Sequence, residues 1–542
     1  MTERKCPQTI YSKLRSLDLP SEAETAQIKN VVDDIKGDLA RCEAEILSLT
    51  SVLAELNERK AHLQDIRNNY RALLAPVRRL PVETLLKIFT FACVKSPSLS
   101  IASVDCEDTL SMPTLHIART CSQWRKITLS NPSLWSNITV DLAQRSWDVR
   151  GLVELYLQRS LPSLLTLTIK AVRLEYNTTD FSAYHLQELA SESWDLFGLL
   201  LKETPRWSRV SFDLAMNICE HVDLWVYEIN EEDVPLQYSL QNLRHLELTW
   251  NRWRDDEDDT PDFFSKFLSA PSLCELRMPV PDHLIPLNQL VKAVLEYPTL
   301  LQLYTFLRQC PRLKALSIFV PFQEPEVHNL PTRGIESDTL ESISFTNLGE
   351  HSIILSLFAL PRLKSLSVDF GKEMTGQDML TEHLKMMLAK SPSLLKLAVH
   401  GHLGSGKSVI DILSSIPHLQ NLEFFVTYNY YQTIKTDLFR AFTMTDSPFT
   451  PRLMPDLAHL GIHLVKECNC HWQEAEADSA TVSSMLESRR TTLRHFEMRL
   501  ESCTPSASQW FDSFSSAVSR RYRIAGLGAD GLKLTLSSTK GD

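Results

Sequence analysis

The sequence predicts a mixed α/β protein made of a long N-terminal helix, a small all-helical domain and an irregular repeat solenoid with a parallel sheet. Three observations predict this: a heptad-spaced apolar stripe, two short amphipathic helices that follow a proline, and a leucine phrase that recurs to the C-terminus. The predicted boundaries are 1–74, 75–140 and 141–542. A chain of 542 residues is too long for one compact core, whereas a solenoid grows without a deeper one.

Composition and charge favour a soluble protein of the cytoplasm, the nucleus or both. The apolar fraction of 43% and the charged fraction of 23% are ordinary for a globular chain. A net charge of −11 offers no basic surface, so neither nucleic acid nor a membrane is expected as a partner. The N-terminus lacks the apolar core of a signal peptide, and the 11 cysteines are therefore expected to be reduced.

The N-terminal helix is predicted from apolar residues that alternate in steps of four and three from Ile28 to Leu63. Only Lys60 interrupts this stripe, which is typical of a coiled coil. In a parallel homodimer Asp38 would face Glu43 of the second copy, which is a repulsion. Homodimerisation and packing against the rest of the chain therefore both remain open.

The second part begins after Ala75-Pro76, where proline disfavours continuation of the first helix. Pro81 suits the first turn of a new helix, and Leu85, Ile88 and Phe89 then share one face. A second apolar helix follows in the stretch LHIARTCSQWRKITL, and the segment closes with NPSLW. About sixty residues this rich in large apolar side chains cannot bury them all, which predicts a partner groove.

These two segments resemble the F-box, whose pattern has a Leu-Pro-x-Glu opening, an Ile-Phe helix, a Cys-x-x-Trp helix and a final Pro-x-Leu-Trp. The matching positions are Leu80, Pro81, Glu83, Leu86, Ile88, Phe89, Cys121, Trp124, Arg125, Pro132, Leu134 and Trp135. The stretch 94–113 is longer than usual for that family and is interpreted as an inserted polar loop. The resemblance implies docking on a Skp1-type adaptor, and through it on a cullin. The implied contacts are Leu80, Pro81, Leu85, Ile88, Phe89, Trp124 and Trp135, although the two tryptophans fit a core role equally well.

The third part is predicted from a phrase of the form Leu-x-x-Leu-x-apolar that occurs ten times after residue 141, with TPRWSRVSF from Thr204 as a weaker eleventh copy. Examples are LPSLLTLTI from Leu161, CPRLKALSI from Cys310 and LPRLKSLSV from Leu360. Successive copies lie 23 to 43 residues apart, which is compatible with one strand and one helix per unit. This period and spacing resemble leucine-rich repeats without the asparagine of the strict form. Stretches such as HLKMMLAKS and DLFRAF are the predicted outer helices.

The alternate residues of these strands are expected on a concave face that binds a protein target, although a solvated polar surface is the default reading. The candidates are Glu247, Arg277, Asp369, His400, Glu423, His463 and Arg499. The order of helix, F-box and repeats resembles F-box/leucine-rich proteins abundant in mushroom-forming fungi. That resemblance implies a non-catalytic substrate-recognition subunit of an SCF-type ubiquitin ligase without a cofactor. The sequence contains no nucleophile and base at a recognisable spacing, so nothing in it favours an enzyme.

Two alternatives come from other classes of protein. The string GHLGSGKS, Gly401–Ser408, matches a P-loop between a strand and a helix, with Lys407 and Ser408 as its phosphate-binding and magnesium-binding residues. No apolar strand ending in Asp follows it to hold magnesium, as a phosphate-binding domain needs. The other alternative is a coiled-coil scaffold whose F-box joins no ligase.

A zinc site is suggested weakly by Cys468, Cys470 and His471, with His459 and His463 upstream. The spacing Cys-x-Cys-His lacks the usual two-residue gap, and no second cysteine pair accompanies it. The sequence therefore predicts no metal site, and it favours His463 as a strand residue.

Overall fold

The computed structural model describes most of the chain and divides it into two compact units between Lys87 and Ile88. The described residues are 14–15, 19–94, 97–104, 107–142, 149–171, 191–214, 239–250, 270–278, 287–296, 298–320, 334–371, 377–444, 453–465, 475–502 and 505–540.

The first unit is dominated by helix α1, Glu22–Leu73, which is 52 residues long. Ser21 starts it with a capping box, in which its side chain accepts from the Glu24 amide and the Glu24 carboxylate accepts from the Ser21 amide. No residue of α1 is buried, and the aliphatic residues of the predicted stripe are 42–62% exposed. The predicted helix is confirmed, and its apolar stripe faces solvent. A short 3₁₀ turn, Pro76–Arg79, follows it.

The segment that resembles an F-box forms three helices and a closing turn: α2 (Val82–Val94), α3 (Pro113–Thr120), α4 (Ser122–Leu129) and the 3₁₀ turn Pro132–Trp135. The interpretation of 94–113 as a polar loop is wrong. Strands β1 (Leu99–Val104) and β2 (Glu107–Ser111) form an antiparallel hairpin there. Leu99 and Ile101 are fully buried, so alternate apolar residues of this stretch supply core rather than loop.

Among the described residues, one sheet of 16 strands follows chain order from end to end, except that the hairpin places β2 outside β1. Every neighbouring pair is parallel apart from β1 with β2. The further strands of this sheet are β3 (Asn137–Asp141), β4 (Leu165–Ala171), β5 (Trp207–Leu214), β6 (His245–Trp250), β7 (Glu275–Met278), β8 (Lys292–Glu296), β9 (Ala315–Phe319), β11 (Ser342–Thr346), β13 (Ser365–Asp369), β14 (Lys396–His400), β15 (Asn421–Thr427), β16 (His459–Val465), β17 (His495–Ser502) and β18 (Lys533–Lys540). Strands β10 (Ile335–Glu336) and β12 (Phe358–Ala359) pair separately.

Helices lie in many of the connections between successive strands, where parallel pairing needs a crossover. They are α5 (Arg150–Arg159), α6 (Ser191–Leu201), α7 (Leu300–Gln309), α8 (Ile353–Leu357), α9 (Gln377–Ala389), α10 (Gly406–Ser414), α11 (Tyr428–Phe442), α12 (Ala475–Ser488) and α13 (Pro505–Ile524). Three-residue and four-residue 3₁₀ turns occur at Thr204–Arg206, Leu287–Gln289 and Gly349–Ser352. No helix in these described ranges is apolar over a length that would cross a bilayer.

All eleven predicted strands are present, because the apolar residues of each strand are buried and alternate with half-buried or exposed positions. The helices predicted from HLKMMLAKS and DLFRAF are confirmed as parts of α9 and α11. The sequence underestimated the strand number. Strand β8 has the sequence KAVLE without the leucine phrase, yet it joins β7 to β9 and explains the long gap between their two phrases.

Candidate functional site

Helix α2 has one buried and one exposed apolar face. Leu85 and Phe89 are four residues apart and are buried. Ile88 and Phe91 lie outside this buried face, where 45% and 73% of each residue is exposed. An exposed phenylalanine three residues from an exposed isoleucine forms a small apolar patch, which we name the α2 outer face.

The buried face of α2 is fixed by contacts with the helices that follow. The rings of Phe89 and Trp124 meet edge to face with centroids 4.9 Å apart, a favourable aromatic geometry. Cys93 lies 3.6 Å from the Thr114 hydroxyl, which donates to the Leu134 carbonyl at 2.7 Å. Burial raises the pKa of the Cys93 thiol, so this cysteine remains a neutral core residue.

Trp135, like Phe89, is almost completely buried. Its indole N–H donates to the Thr128 carbonyl at 2.9 Å, while the Thr128 hydroxyl donates to the Trp124 carbonyl at 2.7 Å. Its ring also meets Tyr156 of α5 edge to face at 4.9 Å. The final Leu-Trp of the motif therefore joins the helical segment to the first helix of the sheet.

The predicted adaptor contacts divide by burial. Leu85, Phe89 and Trp135 are buried within the chain, which for Trp135 agrees with the core role that the sequence left open. Contact of Leu85 and Phe89 with an adaptor stays a prediction.

The remaining predicted contacts are accessible. Pro81 and Ile88 are exposed, and Leu80 and Trp124 are half-buried. Sequence reasoning missed Phe91, although its spacing of three residues from Ile88 was a signal that could have found it.

Residues 77–141 match the F-box-like family model. The chain contains an F-box-like domain. The matched range includes α2, α3, α4, the β1–β2 hairpin and β3, so this domain contributes strands to the large sheet. No curated protein matches the chain.

The exposed rows of the sheet, which we name the open face, carry the residues predicted to meet a target. Near its centre Arg277 bridges two neighbours, with 3.1 Å to Glu247 and 2.8 Å to Glu296. These three residues come from β7, β6 and β8, which pair in register. In this network the charge of Arg277 partly neutralises those of the two glutamates, and the ion pairs hold the three side chains in position.

Further along, an aromatic stack crosses three strands of the open face. Phe425 of β15 lies between His400 of β14 and His463 of β16, with centroid distances of 3.9 and 4.3 Å and nearly parallel rings. Burial lowers the pKa of both histidines, which favours neutral rings at pH 7. Asp369 is the register neighbour of His400 and accepts from the Gly371 amide at 3.0 Å. This part of the open face is a half-buried, aromatic surface.

Beside the stack, Glu423, Gly461 and Glu497 form one row across β15, β16 and β17. Arg499 donates to the Glu497 carboxylate. Burial alone would raise the pKa of Glu497, but the hydrogen bond and charge of Arg499 outweigh it, and the pKa is lowered. The register also places His459 beside His495 in the adjacent row. The structure thus brings the predicted Glu423, His463 and Arg499 into one neighbourhood, while Glu247 and Arg277 form another.

The P-loop string occupies the strand–turn–helix context that the motif requires, between β14 and α10. Its amides, however, are engaged within the chain. The Gly401 amide donates to the Phe425 carbonyl at 2.9 Å, and the Leu403 amide donates to the Tyr430 hydroxyl at 2.9 Å. Burial raises the pKa of Tyr430 to about 12, so this phenol stays neutral. The Ser408 amide donates to Ser405, which caps α10.

An acidic residue also stands at the start of α10, where a P-loop would hold phosphate. A side chain built on Gly406 would come within 2.7 Å of a carboxylate oxygen of Asp437. Lys407 is exposed, and Ser408 is half-buried. A carboxylate at this helix N-terminus repels an incoming phosphate, so the local geometry disfavours nucleotide binding. The weakly suggested zinc ligands Cys468, Cys470 and His471 lie outside the described residues.

Proposed function

We propose that this protein is the substrate-recognition subunit of an SCF-type ubiquitin ligase. The observation that carries the proposal is the F-box-like match at 77–141 together with an exposed apolar patch on its first helix. F-box domains are adaptor modules without catalytic chemistry of their own. The protein would accelerate ubiquitin transfer by holding a target beside the loaded enzyme, which raises its effective concentration.

The docking partner we propose is a Skp1-type adaptor, which would in turn engage a cullin. Ile88 and Phe91 are the proposed apolar contacts with this adaptor, because both are exposed whereas Leu85 and Phe89 are buried in the core. Anchors of this kind, an aromatic with an aliphatic neighbour on a helix, fit a hydrophobic groove.

The open face is the proposed target surface. Its Arg277 network offers charge, and the stack of His400, Phe425 and His463 offers a flat aromatic area. Interface centres are enriched in aromatic residues and arginine, which supports a protein as the ligand. The target itself is left open by this mixed surface.

The test is co-purification with a Skp1-type adaptor. We expect Ile88→Asp/Phe91→Asp to weaken adaptor binding by about 30-fold or more, because two central apolar contacts are replaced by charge. The measurement is a dissociation constant by calorimetry or surface plasmon resonance.

The matched control is Leu301→Asp on α7, where an apolar residue is also 66% exposed but lies outside the F-box-like domain. This variant should bind the adaptor like the parent. Both variants should keep the parent melting curve, since the substituted side chains are exposed. The proposal fails if the parent does not bind the adaptor, or if the two variants bind equally well.

We further propose that α1 self-associates, which would make the ligase subunit a homodimer. The heptad stripe of α1 is exposed along its length, and the charged residues beside it decide the orientation of the pair.

In an antiparallel pair centred between Leu47 and Ser48, Ile46 lies opposite Leu49 of the second copy. Asp38 then lies opposite Arg59 of the second copy, twice by symmetry. The antiparallel pair thus replaces the repulsion of the parallel one with two attractions.

A charge exchange tests this orientation. In sedimentation equilibrium at low ionic strength, Asp38→Arg should weaken the antiparallel dimer by about 5- to 30-fold, since two exposed attractions become repulsions. The matched variant Asp38→Arg/Arg59→Asp should restore the parent dissociation constant. In a parallel dimer Asp38→Arg would instead face Glu43 and strengthen association. A monomeric parent, or tighter association of Asp38→Arg, would contradict the antiparallel dimer.

A further inference from the structure

The open face contains a pair of histidines whose inner nitrogens point at one another. The Nδ1 atoms of His459 on β16 and His495 on β17 are 3.1 Å apart. The carboxylate of Glu497 is also near, because one ligand atom from each of the three residues lies within 4.8 Å of the others. Two neutral imidazole lone pairs at this separation repel one another unless a proton or a metal ion lies between them.

The Nε2 atom of each ring lies near an oxygen atom, so the Nδ1 atoms can act as metal ligands. Nε2 of His495 lies 2.9 Å from the Thr535 hydroxyl, and Nε2 of His459 lies 3.5 Å from a carboxylate oxygen of Glu423. Donation of each Nε2–H to its oxygen leaves both Nδ1 atoms as acceptors. Metal-binding histidines characteristically donate their other N–H to an oxygen acceptor such as a carboxylate, which fixes the tautomer and the ring orientation.

We propose that His459, His495 and Glu497 bind a divalent transition metal ion, with zinc as the best match. Two imidazole nitrogens at about 2.0–2.1 Å from a tetrahedral zinc are about 3.3 Å apart. The observed 3.1 Å between the Nδ1 atoms is therefore close to a preformed pair of ligands. A change in the side-chain torsions of Glu497 would bring its carboxylate into the third position.

The chemistry of the donor set favours zinc over calcium or magnesium. Two imidazoles and one carboxylate suit zinc and its neighbours in the first transition row, whereas calcium and magnesium require oxygen ligands. Glu497 is buried, and its hydrogen bond from Arg499 positions the carboxylate while leaving further lone pairs to coordinate. Three protein ligands leave a fourth position for water or for a donor group of a bound protein.

Gly461 lies in the row of the sheet beside this site. A Cβ atom there would lie 3.5 Å from Nε2 of His459 and 3.2 Å from Nε2 of His463. Glycine between these rings keeps the centre of the row clear of a side chain. The sequence did not reveal the site because its ligands are adjacent only through the pairing of β16 with β17.

The test uses the full-length protein with its thiols alkylated, so that cysteines cannot supply the ligands. Zinc is titrated against a chromophoric competitor, and cobalt(II) absorption reports the geometry. We expect one zinc per chain in the parent, and at least 100-fold weaker binding in His459→Ala and His495→Ala. Thr535→Val keeps all three ligands and should weaken binding by about 10- to 100-fold, the range typical of outer hydrogen-bond partners.

His418→Ala is the matched control, since His418 also lies beside a carboxylate, Asp456 at 3.2 Å, but belongs to no such cluster. It should bind zinc like the parent. Zinc should also raise the melting temperature of the parent and of His418→Ala, but not of His495→Ala. Absence of zinc binding by the alkylated parent at submillimolar concentration would overturn the proposal. So would unchanged affinity in the folded Thr535→Val and His459→Ala variants.

Discussion

Arg489→Met is expected to lower the free energy of unfolding by about 3 kcal/mol or more. Arg489 is fully buried at the end of α12. Its guanidinium donates to the carbonyl oxygens of Phe442 at 2.6 Å and Met454 at 2.9 Å, and also to that of Leu453. A buried carbonyl that loses its donor costs about 1–3 kcal/mol, and methionine supplies no donor for any of the three.

The same contacts hold a turn that the backbone would otherwise avoid. Met454 has a φ of +46°, which is unfavourable for a residue with a side chain, and its carbonyl is one of the three acceptors. Burial lowers the pKa of Arg489 to about 10, which still leaves the group charged at neutral pH. One side chain thus joins α11, the turn before β16 and α12.

Urea unfolding measures the effect, with Arg490→Met as the matched control because Arg490 is the exposed neighbour. The control should change stability by less than about 0.5 kcal/mol. Arg489→Lys should fall between the parent and Arg489→Met, since lysine keeps the charge without the planar fork. Equal unfolding midpoints for Arg489→Met and Arg490→Met would refute the role of these hydrogen bonds.

The sheet was predictable because its signal is local and repeated. In a phrase such as LPRLKSLSV, Leu363 and Leu366 are buried three residues apart, and Val368 then continues the alternation of a strand. Strand β8 was not predicted from the sequence, because Ala293 and Leu295 are buried in the same alternating pattern but no leucine phrase precedes them. Burial of alternate apolar residues therefore defines each strand, and the leucine phrase is only the commonest sequence that provides it.

Residues whose role depends on long-range neighbours were not predictable in the same way. Arg489 directly follows helix α12, where an arginine ordinarily faces water, and only the fold brings three carbonyl groups around it. Phe89 and Phe91 read alike in sequence, yet the position of Trp124 decides that the first is core and the second is exposed. His495 approaches His459 only because β16 and β17 pair in register.

Trp135→Ala is expected to lower the free energy of unfolding by about 3–5 kcal/mol, as for other fully buried large aromatic residues. The substitution removes the ring contact with Tyr156 and the donor to the Thr128 carbonyl. Trp135→Phe retains a ring of similar shape, so it should lose mainly the hydrogen bond and some packing, about 1–2 kcal/mol.

Phe91→Ala is the matched control, because it truncates an aromatic residue of the same domain whose side chain is exposed. Phe91→Ala should leave the unfolding midpoint of the chain unchanged and weaken adaptor binding. Trp135→Ala should lower the unfolding midpoint and leave adaptor binding unchanged at temperatures where the variant remains folded. Trp135 lies two residues before the start of β3, which pairs with β1 and β4 in the large sheet. Its loss is therefore expected to destabilise the first strands together with the F-box-like helices. If the helices melt separately while circular dichroism shows the sheet unaffected, the two do not share the core that Trp135 and Tyr156 form.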